Sequence, residues 1–497
     1  MLNASTAKAR SALRPYQVGV VDNMIRAKRY LNYLDMGMGK SLTTLLSVVE
    51  LQGFPLVILC TKSAMGVLQE EMMEWFGIDS IIYTGTPKQR DAIWYEYIDR
   101  KLPVIIANYA MAEELSGRFG IIKHPKLHTH PNGMLTAKSK PTPGTVQKPR
   151  ALVCDEIQRS GLFNHKSKTY GTIHKIAKAV EICYLLTGTP YRRGVVDLFG
   201  PLSTIRPELF DHYWKFVNKY CRIEATPYGK QIERLPADLH GFRKMIRQHA
   251  AIAKKEDHLD ELPEKIRQTI PVEMNKEQQK VYEELVEELF SMTATGDLII
   301  TPSQLTLGMR LRQVLVSPQV LGLKERGAAI DTLVEMAEDL VWQDRPFVVF
   351  TPFRKAVPYI REALLDEFPE LGDVTVIEGQ LTPDEFTARW QGFQKARGKG
   401  VMICVIKSGA SFHATRADTA FFLGCEYDFN ENMQAEDRLY RMGQKNVVRC
   451  YYLLHKGTID DRVKEILNEK VHTSNLVLST ESVLRDILKG NAYKRSK

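Results

Sequence analysis

Short apolar runs recur along this chain, and each stops abruptly at small, polar or charged residues. Leu56 to Cys60 ends at Thr61-Lys62, Val104 to Ala107 at Asn108-Tyr109, Ala151 to Cys154 at Asp155-Glu156, and Cys183 to Leu186 at Thr187-Gly188-Thr189-Pro190. A second group comprises Phe347 to Phe350, Val374 to Ile377, Val401 to Ile406, Thr419 to Leu423 and Val448 to Leu454. Runs this short, rich in Val, Ile and Phe and separated by segments of helical pattern, predict strands buried on both faces of parallel sheets. Ligands of such sheets bind beyond the carboxyl ends of the strands, which is where the polar clusters fall. The two groups predict two α/β lobes. Between them, Val281, Leu285 and Leu289 recur at helical spacing among Glu and Lys, so the connection is expected to be helical.

Composition narrows the class. With 44% hydrophobic and 26% charged residues, the chain is neither disordered nor fibrous. No apolar run reaches the ~18 residues of a membrane span. Lys8 and Arg10 are followed by no apolar stretch, so Met1 to Arg14 does not read as a secretory signal, and a cytoplasmic protein is expected, with a nuclear one as the alternative. The 7 cysteines are odd in number and lack Cys-x-x-Cys spacing, which points to reduced thiols; Cys60, Cys154, Cys183 and Cys404 read as small buried hydrophobes. A net charge of +9 favours a polyanionic partner.

Gly37-Met38-Gly39-Lys40-Ser41 follows a predicted strand, Tyr30 to Leu34, and precedes a predicted helix, Leu42 to Leu51. In that setting glycines let backbone N–H groups approach phosphates, Lys40 reaches the outer phosphates and the Ser41 hydroxyl ligates Mg2+. Leu34 stands where the first glycine of such a loop belongs, and a plain helix-capping turn is the competing reading. Asp155-Glu156, ending a buried strand, supplies what the loop lacks: Asp155 to hold the metal and Glu156 to deprotonate the attacking water. Without the loop, the pair would read as two solvated acids. Arg438 and Arg441 stand three residues apart, so a helix would place them on one face, suited to act as arginine fingers on a γ-phosphate; solvated surface arginines are the bland alternative.

The order of these segments resembles that of the Swi/Snf-type ATPases of helicase superfamily two. Leu13-Arg14-Pro15-Tyr16-Gln17 matches the segment whose glutamine reads adenine, and Asp35-Met36-Gly37-Met38-Gly39-Lys40-Ser41 matches motif I. Asp155-Glu156-Ile157-Gln158 stands as motif II, where the family usually has Asp-Glu-x-His, and Leu186-Thr187-Gly188-Thr189-Pro190 as motif III. Leu311-Arg312-Gln313 with Ser317-Pro318, Gln434 to Gln444 (motif VI) and His455 to Asp460 continue the match. Motif V, Ser408 to Asp418, has less glycine than the family's, which leaves the residues coupling DNA to ATP in the second lobe undefined.

The resemblance implies two RecA-like lobes, each a mostly parallel sheet flanked by helices, with ATP bound between them: an ATP-binding lobe over residues 1–265 and a helicase C-terminal lobe over 266–497. It further implies a DNA-dependent ATPase that uses ATP and Mg2+ to track along double-stranded DNA, with Gln17 selecting adenine and Thr187 and Thr189 relaying nucleotide state, and with a protein partner or cargo left unspecified. A strand-separating helicase is the first rival, although the short stretch from Asp418 to Gln434 leaves little room for a separating hairpin. The second is a non-catalytic DNA-binding scaffold, whose mark would be loss of Lys40, Glu156 or an arginine finger; none is missing. The segment from Leu115 to Cys154 carries no Asp or Glu but holds Arg118, Lys123, Lys126, Lys138, Lys140, Lys148 and Arg150, and is expected to lie along DNA phosphates.

Overall fold

A computed structural model describes residues 2–122, 147–188, 194–226, 229–253, 255–258, 261–291, 302–379, 381–408, 412–461 and 463–464. Its contacts divide the chain into two units, Met1–Asp260 and Glu261–Lys497. Lys123, Lys126, Lys138, Lys140, Thr189 and Gly409 to Ser411 lie outside the described residues.

In the first unit the strands are β1 (Arg29–Leu34), β2 (Leu56–Cys60), β3 (Ser80–Tyr83), β4 (Val104–Asn108), β5 (Ala151–Cys154), β6 (Ile182–Leu186), an antiparallel hairpin of β7 (Cys221–Thr226) and β8 (Gly229–Pro236), and β9 (Ala250–Ala253). Among the described residues the main sheet has the order β3-β4-β2-β5-β6-β1-β9, with every pair parallel. The apolar runs explain this. Each residue of β2, β4, β5 and β6 is buried, so both faces need helical cover, and helical crossovers join strands in parallel. Leu31, Leu59, Ile105, Leu152 and Leu185 share one core with Ile173, Ile176 and Leu202 from the covering helices. Slipping one strand along its neighbours would carry the polar residue at its end into this core without a partner, so the register is fixed at the ends of the apolar runs. That register, with Cys60 opposite Asn108, Leu59 opposite Cys154 and Asn32 opposite Leu186, brings the strand ends with Asp35, Asn108, Asp155 and Thr187 to one edge.

The second unit repeats the plan with β10 (Lys265–Val272), β11 (Pro346–Thr351), β12 (Thr375–Ile377), β13 (Gly400–Val405), β14 (Thr419–Leu423) and β15 (Val448–His455), ordered β10-β15-β14-β11-β13-β12 and parallel throughout. Phe350 stacks on Phe422 at 4.9 Å, and Phe422 on Tyr452 at 4.4 Å, tying three strands through one layer of rings. Helices Lys276–Ser291, Pro302–Val316 and Ala328–Trp342 lie between β10 and β11 in sequence, as the helical spacing predicts. Both sheets are of the helix-flanked, parallel kind expected of RecA-like lobes. Among the described residues no helix is long and apolar enough to cross a membrane.

Two local expectations change. Arg118 is not part of a free basic loop: it ends the helix Ala112–Arg118, its side chain is 8% exposed, and it pairs with Asp91 at 2.6 Å and Glu114 at 3.0 Å. Arg150 likewise holds Glu181 at 2.8 Å, whereas Lys148 is exposed. The helix before the paired arginines, Phe429–Glu436, stops short of both. Glu436 is drawn to the sheet by Lys265, Arg267 and the Tyr452 hydroxyl, and the chain then continues through turns.

Candidate active site

Helices α1 (Leu2–Ser11) and α2 (Pro15–Ala27) precede β1, and the segment after β1 turns sharply into α3 (Lys40–Glu50). Gly37 (φ +77°) and Gly39 (φ +80°) take backbone conformations that side chains resist, and a methyl group at Gly39 would meet the Gln17 amide nitrogen at 2.3 Å. Helix α2 (Pro15–Ala27) begins with proline, and the Arg14 N–H donates to Gln17 Oε1 at 2.8 Å. It delivers two donors to one acceptor: Gln17 Nε2 and the Tyr16 hydroxyl both donate to the Met38 carbonyl, at 2.9 and 3.1 Å. Because a trans peptide holds its C=O and N–H on opposite sides, pinning this carbonyl aims the Gly39 N–H away from α2. Lys40 is buried, and its ammonium donates to the carbonyls of Leu34 (2.9 Å) and Asp35 (3.1 Å). Ser41 is the second residue of α3 and half-buried. Beneath the loop, the wholly buried Asn32 donates to the Thr43 and Thr44 hydroxyls, both at 3.1 Å, and so fixes the start of α3 to β1.

At the end of β5, Asp155 and Glu156 are both buried. Glu156 has φ 53° and ψ 51°, a left-handed backbone that costs a non-glycine residue on the order of 1–2 kcal/mol. Gln158 Nε2 donates to Glu156 Oε2, and the Thr187 hydroxyl donates to Gln158 Oε1 at 2.6 Å, so the motif II and motif III strand ends share one chain of hydrogen bonds. Burial, then the neighbouring Glu156, pushes the Asp155 carboxyl up to about 7 against the pull of Lys40, with Glu71 adding to the rise. Gly188 lies against Lys40, whose Nζ is 3.4 Å from where a Cβ would sit. Motifs I, II and III therefore converge around one ammonium and two carboxylates. Two adjacent buried carboxylates, one with its proton affinity raised, form a donor set that a divalent cation relieves, so the residues fit Mg2+.

In the second unit, Arg438 and Arg441 converge on a single carbonyl, that of Phe412, at 3.3 and 3.4 Å, and the Arg438 guanidinium lies 5.0 Å over the Phe412 ring. Arg438 is 4% exposed and Arg441 half-buried, so neither is a solvated surface arginine. Motif V and motif VI are thereby joined, with the Ala414 N–H donating to the Arg438 carbonyl at 2.8 Å.

Sequence reasoning named Gln17, Gly37, Met38, Gly39, Lys40, Ser41, Asp155 and Glu156, and the first unit gathers them. It gave no role to Asn32, although a lone amide inside an apolar strand is a readable signal. Nor did it find the turn Lys255–Asp257 with His258. Asp35 accepts the Lys255 N–H at 3.1 Å and His258 stacks on Tyr16 at 4.8 Å, contacts that depend on β9 pairing with β1.

Comparison with known proteins follows the same lines. The family model for the SNF2-related domain matches residues 17–320, more than half of the 497. CHR7, a CHD3-type chromatin-remodeling factor of Arabidopsis thaliana, is 25% identical over 482 residues, covering 91% of this chain and 36% of its own length. An uncharacterized ATP-dependent helicase of Mycoplasma pneumoniae is 27% identical over 335 residues, covering 66% of this chain and 30% of its own. The mouse DNA annealing helicase and endonuclease ZRANB3 is 22% identical over 484 residues, 95% of this chain and 41% of its own. The chain thus spans well under half the length of these relatives. The SWI2/SNF2 ATPase core of Sulfolobus solfataricus in complex with dsDNA is 20% identical, covers 95% of this chain and 96% of its own, and superposes with a TM-score of 0.41.

Proposed function

Because the chain belongs to the SNF2-related domain family, we propose that it is an ATPase whose turnover drives it along double-stranded DNA. The observation that carries the reading is the convergence of Lys40, Asp155, Glu156 and the Glu156–Gln158–Thr187 hydrogen bonds at one sheet edge. Lys40 leaves the Leu34 and Asp35 carbonyls for the outer phosphates of ATP, and the loop N–H groups with the start of α3 receive the remaining phosphate charge. Gln17, held against Met38, borders the base and selects adenine. Ser41 and Asp155 would hold Mg2+, which supplies charge neutralisation on the phosphates. Glu156 accepts the proton of the attacking water as its oxygen bonds to the γ-phosphorus and the bond to ADP breaks. Arg438 and Arg441 counter the charge that develops on the γ-phosphoryl oxygens.

DNA as the track is supported by the net charge of +9 and by relatives whose names denote DNA annealing and chromatin remodeling. The second kind of name also supports DNA-bound protein as cargo. The test is phosphate release measured side by side without nucleic acid and with single strand, duplex, fork and RNA, joined to displacement of a third strand from a triplex. Duplex stimulation with triplex displacement and no fork unwinding is the expected result. Stimulation by single strands alone, with fork unwinding, would replace translocation by strand separation.

A further inference from the structure

The phosphate loop is held by a closed circuit of contacts that reaches beyond the residues the proposed chemistry uses. Helix α2 reaches the loop through Tyr16 and Gln17 on the Met38 carbonyl. The loop reaches the end of the first unit through Asp35, whose N–H donates to the Ala253 carbonyl at 3.1 Å and whose carboxylate accepts the Lys255 N–H at 3.1 Å. These two bonds extend the β1–β9 pairing past both strand ends. His258 then returns to α2 by stacking on Tyr16, with ring centroids 4.8 Å apart and planes 23° from parallel. Lys255 is 5% exposed and packed into the site, while Asp257 and His258 are exposed at its rim.

The same turn lies just before Glu261, where the second unit begins. Asp35 bonds to both sides: its carboxylate accepts the Lys255 N–H, and its carbonyl accepts from the Lys40 ammonium, the group that leaves for the phosphates in the ATPase reading. We propose that Asp35, Tyr16 and His258 are positioning residues that transmit occupancy of the phosphate loop through the turn Lys255–Asp257 into the chain segment leading to the second unit. The proposal rests on the ATPase reading above. Asp35 aligns the loop, while the Tyr16–His258 stack stiffens the turn, so that loop movement is delivered onward and not absorbed locally.

Backbone hydrogen exchange of the whole 497-residue chain, with and without Mg2+ and the non-hydrolysable analogue AMP-PNP, tests it. In the wild type the nucleotide should change exchange both in the loop, residues 35–41, and in the turn, residues 255–258. At saturating nucleotide Asp35→Ala should keep the loop response and lose the turn response, and Asp35→Asn, whose amide oxygen still accepts the Lys255 N–H, should restore it. His258→Ala should lower DNA-stimulated kcat by roughly 2- to 30-fold at an unchanged KM for ATP and unchanged DNA-free rate, with His258→Phe restoring it. Loop protection without a turn response in the wild type, or equal stimulated rates in His258→Ala and wild type, overturns this proposal alone. Absence of any nucleotide response in the loop overturns the ATP reading beneath it as well.

Discussion

Replacing Gln158 by Leu keeps the side-chain volume and removes both hydrogen bonds that join Glu156 to Thr187. The bond to the Glu156 carboxylate is charge-assisted and worth about 1.5–3 kcal/mol, and that from the Thr187 hydroxyl about 0.5–1.5 kcal/mol, so the fold should lose about 2–4.5 kcal/mol. Thr187 is 0% exposed, and water offers it little compensation. The larger effect falls on turnover. Glu156 already sits in a left-handed backbone, and without Gln158 its carboxylate has lost the donor that orients it; a displacement of about 1 Å costs on the order of 100-fold in rate. Gln158 touches neither Lys40 nor the loop carbonyls in the hydrogen bonds of the site, so KM for ATP should move little. Steady-state phosphate release over an ATP series, paired with urea unfolding, separates the two consequences. Gln158→His should recover most of the rate, since an imidazole offers one nitrogen as donor to Glu156 and the other as acceptor for Thr187. A Leu variant whose urea midpoint falls while kcat stays within about twofold of the wild type would refute the reasoning. It would show that these bonds hold the fold and not the base.

Lys40→Ala should abolish binding of a fluorescent ATP analogue, whereas Glu156→Gln should bind it and fail to hydrolyse ATP; hydrolysis at the wild-type rate by the latter would remove Glu156 as the base. Arg441→Ala should lower kcat by roughly 10³- to 10⁵-fold with nucleotide affinity retained, read by single-turnover phosphate release. Glu114 gives a pH signature: burial alone would raise its carboxyl, but hydrogen bonds from Arg90, Tyr83 and Arg118 outweigh burial and hold it at about 2. A folded-state value below the unfolded one means the stabilisation is complete above the unfolded value of about 4.5 and is lost as pH falls from there towards 2. Urea midpoints between pH 6 and pH 3 should therefore drop more steeply for the wild type than for Glu114→Gln, and parallel profiles would dismiss the assignment.

The central strands were legible because burial on both faces leaves little room for polar residues, so β2, β5 and β14 start and stop where the apolar runs do. The outer strands were not. Ala250–Ala253 is three buried alanines around an exposed Ile252, a composition equally at home in a helix, and the edge strand Lys265–Val272 exposes Ile266 to Gln268, so its pattern resembles a surface loop. The same limit applies to the site. Motif spacing names Lys40 or Glu156 because one residue type serves each task, but the stack of His258 on Tyr16 joins residues far apart in sequence and follows from strand order alone. Arg118 shows the opposite error. Its charge suggested a free contact with DNA, while Glu114 and Asp91, outside the run that was counted, had already claimed it.

All seven cysteines are free and buried, and burial pushes their thiols up, those of Cys183 and Cys221 to about 11. Since the thiolate is the reactive species, none should compete for maleimide near neutral pH. Probes for distance measurement can therefore be placed at single introduced surface cysteines, one on each unit, in an otherwise unaltered sequence, and the two units followed through a turnover cycle.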